Sequence, residues 1–273
     1  MTDRRLYRAT PRIAHISLAG LVGGLPFTNG EDLEIAAPLA DLCAAPDGAR
    51  DRQLVYGERF CALDRAGEYA FGFAQKDGYC GWVPDADLRP ATPKSHWVCA
   101  LASHVYPAPR VQTPPVHALP FGSNLMVLGH ENGFACTDFG FVPLPHLRAL
   151  KQGFSDPVGV AEKFLGCPYL WGGNSAAGLD CSGLVQVAFL ACGIAAPADS
   201  DLQQSVGMEV GADTPLARAD LIFWRGHVAM VVDGARLIHA NGHSMSVAYE
   251  GIAECTARIA AAGGGDVTGR RRI

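Results

Sequence analysis

Hydrophobic and polar positions change rhythm once along this chain, near residue 150. Before that point, runs such as LVYGERFCALDRAGEYAFGFA alternate with a period of two between Gly and Pro punctuation, which predicts short, half-buried strands. From Asp156 the period lengthens. Asp156-Pro157 is a helix-start signal, and VGVAEKFLG supplies the stripe behind it. In GLDCSGLVQVAFLACG, positions 181, 184, 185, 188, 189 and 192 form one apolar face at helical spacing. Asp180 stands where an N-cap is wanted and Gly193 where the helix would end. Further on, HVAMVVDGARLIHANGH returns to strand alternation and reads as a β-hairpin.

The strand-rich half contains a repeat. ADLCAAPDGARDRQLVYGERFCALDRAGEYAFGFAQKDGYCGWVPDADL and ASHVYPAPRVQTPPVHALPFGSNLMVLGHENGFACTDFGFVPLPHL share a Pro-containing loop, a YG or FG turn, alternating strands and a closing GWVP or GFVP. Pro84 matches Pro143, and Leu88 matches Leu147. Duplication at this size and strand density predicts two small β-barrels, residues 36–90 and 91–150, each similar to a bacterial SH3-like domain. Residues 1–35 are expected to pack as an extra segment on the first barrel, and residues 151–273 form the remaining domain. Barrels of this kind, taken alone, would be spacers or wall-binding modules.

Composition narrows the function classes. The chain has 273 residues, 49% of them hydrophobic, and a net charge of −5, so it has ample core material and lacks the basic stripe of a nucleic-acid binder. The dense basic run, Arg270-Arg271-Arg272, lies at the C-terminal end. No window approaches the ~18 apolar residues of a membrane span, so no membrane partner is expected. The beginning, MTDRRLYRATPRIAHISLAG, has no unbroken apolar core of a signal peptide. Nine cysteines, an odd number without CxxC pairs, fit reduced thiols, and a cytoplasmic location is expected.

Two cysteines share the 181–192 helix but not its electrostatics. A thiol at the first helical position meets free backbone N–H groups and the positive end of the dipole, which favour thiolate. Cys181 is therefore the candidate nucleophile, and Cys192, at the opposite end, is a packing residue. A nucleophile needs a base. Of the nine histidines, His227, His239 and His243 fall in the hairpin. Its turn can be built two ways. A two-residue Asp233-Gly234 turn puts His227 and His239 on opposite faces. A three-residue Val232-Asp233-Gly234 loop pairs Val231 with Ala235 and sets His227 directly opposite His239. Neighbours at ~5 Å suit a base and the group that orients it. His243, after Asn241-Gly242, is expected at the surface. A metal site from Cys181, His227, His239 and His243 would lack any tight ligand pair, so neither metal nor other cofactor is expected.

Taken together, LGCPYLWGGNSAAGLDCSGLVQ, ADSDLQQSVG, ADLIFW and GHVAMVVDGARLIHA resemble the NlpC/p60-type cell-wall peptidases, a papain-like cysteine peptidase family, over residues 156–273. The resemblance implies an α+β fold, a nucleophile helix packed on an antiparallel sheet, with Cys181 as nucleophile, His227 as base and His239 as orienting residue. It also implies that the Tyr169 hydroxyl helps build the oxyanion and substrate pocket. The chain departs from the family pattern at Arg218-Ala219, where Pro-Gly is common, and at Ala198, where Arg is common.

Two SH3-like barrels ahead of such a domain look like the subgroup that trims recycled wall peptides. That likeness implies cleavage of the γ-D-Glu–diamino-acid bond in murein-derived peptides with a free N-terminal L-Ala. Asp180 and Ser182 would grip the terminal ammonium, with Glu58 and Tyr79 of the first barrel completing the pocket. Competing readings are a wall-fragment binding protein with an inactive peptidase domain, and an acyltransferase or amidase on the same fold.

Overall fold

The computed structural model describes residues 3–273, and the chain parts into two compact units after Gln152. In the first unit, strands Glu31–Ile35, Leu39–Cys43, Arg50–Val55, Arg59–Ala66, Tyr69–Ala74, Cys80–Pro84 and Leu88–Pro90 form one seven-stranded sheet. Alternation drives its core: Leu33 and Ile35, Leu42, Leu54, Phe60 and Val83 point inward and are buried. The expected extra segment ends earlier than residue 35, because Glu31–Ile35 pairs with both Arg59–Ala66 and Leu88–Pro90 as a full member of this sheet. Its Glu34, fully buried, is balanced by Arg89 and Lys94, each at 2.7 Å. The residues before it lie on the barrel through Arg4–Asp51 and Arg12–Asp64 ion pairs.

The second repeat forms three small sheets from strands between His96 and Ala149. Its core unites Val98, Val105, Leu119, Leu125 and Val142 with Tyr56 from the first repeat. The repeat signature has one geometry in both copies. GWVP and GFVP are each a strand that ends in a short 3-10 turn, Asp85–Asp87 or Leu144–His146, with Pro84 and Pro143 both at φ −54°. Leu88 and Leu147 then open the closing strands.

The second unit, Gly153–Ile273, contains helices α1 (Pro157–Glu162), α2 (Cys181–Ala191), α3 (Ser200–Gln203) and α4 (Ile252–Ala261). Strands β1 (Met208–Glu209), β2 (Leu221–Trp224), β3 (His227–Val231), β4 (Arg236–Asn241), β5 (Ser246–Gly251) and β6 (Gly269–Arg272) form an antiparallel sheet in the order β1-β6-β2-β3-β4-β5. Asp156 caps α1 by accepting the Val158 N–H at 3.1 Å. Helix α2 is not amphipathic in place: every residue but Leu190 is buried, with α1 and α3 as well as β3 and β4 packed around it. Its Ser182 and Gln186, polar in the sequence pattern, are buried with hydrogen bonds to Asp180 and to the Ala196 carbonyl.

The hairpin takes neither of the two expected turns. Met230 faces Ile238 and Val231 faces Leu237, which leaves residues 232–235 between the strands. Asp233 explains the longer connection. Its carboxylate accepts the N–H groups of Ala235 and Arg236 at 3.0 and 2.9 Å and pairs with the Arg236 guanidinium at 2.8 Å. Among the described residues, no helix is long and apolar enough to cross a membrane.

Candidate active site

The site begins with the turn that delivers Cys181. Asp180 is the N-cap of α2: one carboxylate oxygen accepts the Gly183 N–H at 2.6 Å and the Ser182 hydroxyl at 3.1 Å. The other accepts the Gly172 N–H at 3.0 Å, across the WGG turn where Gly172 has φ +68°. Only a backbone free to enter the left-handed region presents its N–H there without strain. One buried carboxylate thus ties the turn to the first residue of the helix.

Cys181 follows at the first helical position, 7% exposed. Its sulfur accepts backbone N–H groups from Val228 and Ser182, which puts it beside the residue following His227. Burial, followed by the negative charge of Asp180, pushes the thiol up to about 12 against the lowering effect of those N–H groups. The helix end was expected to favour thiolate. Here burial and the neighbouring carboxylate outweigh it, because a sulfur sealed from water loses its anion solvation. The resting thiol is therefore protonated, and attack requires a base.

His227 and His239, the expected base and its partner, lie side by side. His227 Nε2 lies 2.9 Å from His239 Nδ1, with the rings edge to face at 61°. The sequence reading set the pair directly opposite across the hairpin. With Val231 facing Leu237, the count instead puts Ala229 opposite His239, so the histidines are diagonal neighbours on one face. The pairing survives because a two-residue shift preserves the face and imidazole side chains span the diagonal. Burial pulls His227 down to about 3, with Arg258, and His239 once it is protonated, adding to it against the pull of Glu250. Burial likewise pulls His239 down to about 4, opposed by Glu250. Both rings are neutral near pH 7, the state in which an imidazole can accept a proton.

Tyr169 reaches the same site. Its backbone bridges to Leu179 and its N–H donates to the Met245 carbonyl at 2.9 Å. Burial, with the charges of Cys181 and Asp180, raises the phenol to about 12, so the hydroxyl keeps its proton for donation. His243 is exposed, as its place after the Asn241-Gly242 turn suggests. Glu58 and Tyr79 belong to the first unit. There Glu58 is paired with Lys76 at 2.6 Å and accepts the Val55 N–H at 3.1 Å, while Tyr79 is a core residue, 3% exposed.

The NlpC/P60 family model matches residues 166–258, and the model of the bacterial dipeptidyl-peptidase Sh3 domain matches residues 42–88. A γ-D-glutamyl-L-lysine dipeptidyl-peptidase of Bacillus subtilis is 30% identical over 226 residues, covering 71% of this chain and 73% of that protein. This chain belongs to the NlpC/P60 family. A protein of the same description from Bacillus cereus is 36% identical over 100 residues, 34% of this chain and 30% of that protein. The crystal structure of an NlpC/P60 family protein from Bacillus cereus shares the fold, with a TM-score of 0.74 at 20% identity, over 89% of this chain and 99% of that one. The family consists of peptidases, and its papain-like domain lies in the second unit, with an SH3-like region in the first.

Two residues near the NlpC/P60 site escape sequence reading. Glu250 Oε2 lies 3.1 Å from His239 Nε2, and Arg258 holds the same carboxylate through Nε and Nη2 at 2.8 and 2.7 Å. The period-two alternation of SVAYEG carries the signal, because Glu250 falls on the face of His239 once Ala248 is known to face it. Ligand atoms of His239, Glu250 and Cys255 lie within 4.8 Å of one another. The Arg258 guanidinium already occupies this cluster, 3.7 Å from the Cys255 sulfur, and a cation would have to compete with it.

Proposed function

We propose that this chain is a cytoplasmic cysteine endopeptidase that cuts the γ-D-Glu–diamino-acid bond of murein-derived peptides bearing a free N-terminal L-Ala, in wall-peptide recycling. The observation that carries the reading is the convergence of a buried thiol at a helix start with two neutral, mutually bonded histidines. In this mechanism His227 takes the Cys181 proton as sulfur attacks the γ-carbonyl carbon. The tetrahedral oxyanion receives the Cys181 N–H and the Tyr169 hydroxyl. The imidazolium then returns its proton to the leaving α-amine of the diamino acid, and water releases the dipeptide from the thioester. Asp180 and Ser182, beside the nucleophile, are the acceptors assigned to the substrate ammonium. The names of the relatives and the match to the dipeptidyl-peptidase Sh3 domain support the bond specificity.

The test offers L-Ala–γ-D-Glu–meso-diaminopimelate beside the same peptide with its amine acylated. Cleavage of the free peptide alone is expected, with L-Ala–γ-D-Glu as product. Equal cleavage of both would reject the amine requirement while leaving the peptidase intact. Full activity in a Cys181→Ala variant would remove the mechanism itself.

A further inference from the structure

We infer that Glu250, clamped by Arg258, is a positioning residue that selects the tautomers of both histidines and thereby aims the lone pair of His227 at the thiol. The inference rests on the catalytic reading of His227 and His239 given above.

Each step follows from which atom can carry a proton. Glu250 is doubly hydrogen-bonded to Arg258, and the guanidinium holds the carboxyl down to about 2, so it is an acceptor at every working pH. His239 Nε2 is buried and lies 3.1 Å from Glu250 Oε2, within ion-pair distance but without a well-aligned hydrogen bond. The carboxylate's charge at that distance favours a hydrogen over a lone pair on the nitrogen facing it, so Nε2 carries the hydrogen. A neutral imidazole has one N–H, which leaves His239 Nδ1 as the acceptor. That atom is 2.9 Å from His227 Nε2, which must therefore donate. His227 then has its only lone pair on Nδ1, the nitrogen not bonded to His239, and the next residue on its strand, Val228, has its N–H against the Cys181 sulfur. Charge fixed on Arg258–Glu250 is thus converted, through two rings, into a proton acceptor at the nucleophile.

The arrangement is geometric as well as electronic. His227, His239 and Glu250 sit on three successive strands, each displaced by two residues from its neighbour's cross-strand partner, so that they run diagonally over one face. Packing of Leu237, Ala229 and Val231 against Cys255 and Ile259 of α4 holds that face and brings Arg258 to it.

The test uses the full chain carrying Cys181→Ala, so that its readout is independent of turnover. Long-range ¹H–¹⁵N correlation spectra identify the protonated nitrogen of each ring. Both histidines are expected with hydrogen on Nε2, and Glu250→Gln is expected to populate the Nδ1–H form of His239. Hydrogen on His239 Nδ1 in the protein with Glu250 intact, or unchanged populations in Glu250→Gln, overturns the inference. In the otherwise unmodified enzyme, Glu250→Gln is expected to lower kcat tenfold or more with KM within twofold, and Glu250→Asp to recover part of it. Should Glu250→Gln fail to fold, Glu250→Asp is compared with Arg258→Leu by the same spectra, with the tautomers retained in the first and mixed in the second. A protein that cleaves no wall peptide but shows these tautomers would refute the proposed function and leave the positioning intact.

Discussion

His227 and His239 are bonded Nε2 to Nδ1 at 2.9 Å although neither is the cross-strand partner of the other. A diagonal contact leaves His239 a side that meets Glu250. Direct opposition would bring the rings closer but would not place Glu250 in line with them.

Removal of the second ring tests this geometry. In His239→Ala, His227 loses the acceptor that holds its tautomer, so kcat should fall by about 10²-fold or more with little change in KM. Steady-state kinetics on the tripeptide checks it, and a rise in KM alone would point to substrate binding instead.

Asp180→Asn separates capping from charge. Asparagine still caps helices, but its amide must turn one N–H₂ toward Gly172, Gly183 or Ser182, all donors to the native carboxylate. An unfolding free energy lower by about 1–3 kcal/mol is expected in urea titrations. Loss of the charge that raises Cys181 should also shift the pH profile of thiol alkylation to lower pH. An alkylation profile unchanged from the parent would remove Asp180 from the list of causes.

Ala219 occupies a left-handed conformation, φ +71°, at the position where the family commonly has glycine. Ala219→Gly should stabilise the protein by about 0.5–1 kcal/mol, relief of the Cβ clash exceeding the entropy that glycine loses on folding. An unchanged or lowered denaturation midpoint would mean that the local hydrogen bond from Ala219 N–H to the Val231 carbonyl already absorbs the strain.

Acid should destabilise the fold, with a sign set by the two histidines. Unfolded, each takes up a proton near its ordinary value of 6.5; folded, they hold out to about 3 and 4. Their contribution is complete above pH 6.5 and is lost as pH falls toward those values, at up to about 1.4 kcal/mol per pH unit for each. Glu250, lowered from 4.5 to about 2, adds loss of the same sign below pH 4.5. Urea midpoints measured from pH 7 to 5 should fall steadily; a flat profile would contradict burial of neutral rings.

Much of this was legible before any coordinates. The repeat ending in GWVP and GFVP marked two copies of one strand-and-turn signature, because an extended strand followed by Pro has few ways to continue. Asp180, Cys181 and Gly193 marked a helix start, its first residue and its end, which are local backbone preferences. Other features were not local. Strand Glu31–Ile35 was missed since a buried acid reads as surface until Arg89 and Lys94 arrive from far along the chain.

By itself the sequence determined the elements and the order of Cys181, His227 and His239, because periodicity and capping act over a few residues. Tertiary structure alone decided the hairpin register, the protonation of the thiol and the line from Arg258 through Glu250 to His239. Those depend on which charges and dipoles meet once water is excluded, and exclusion of water belongs to the packed fold rather than to any stretch of the chain.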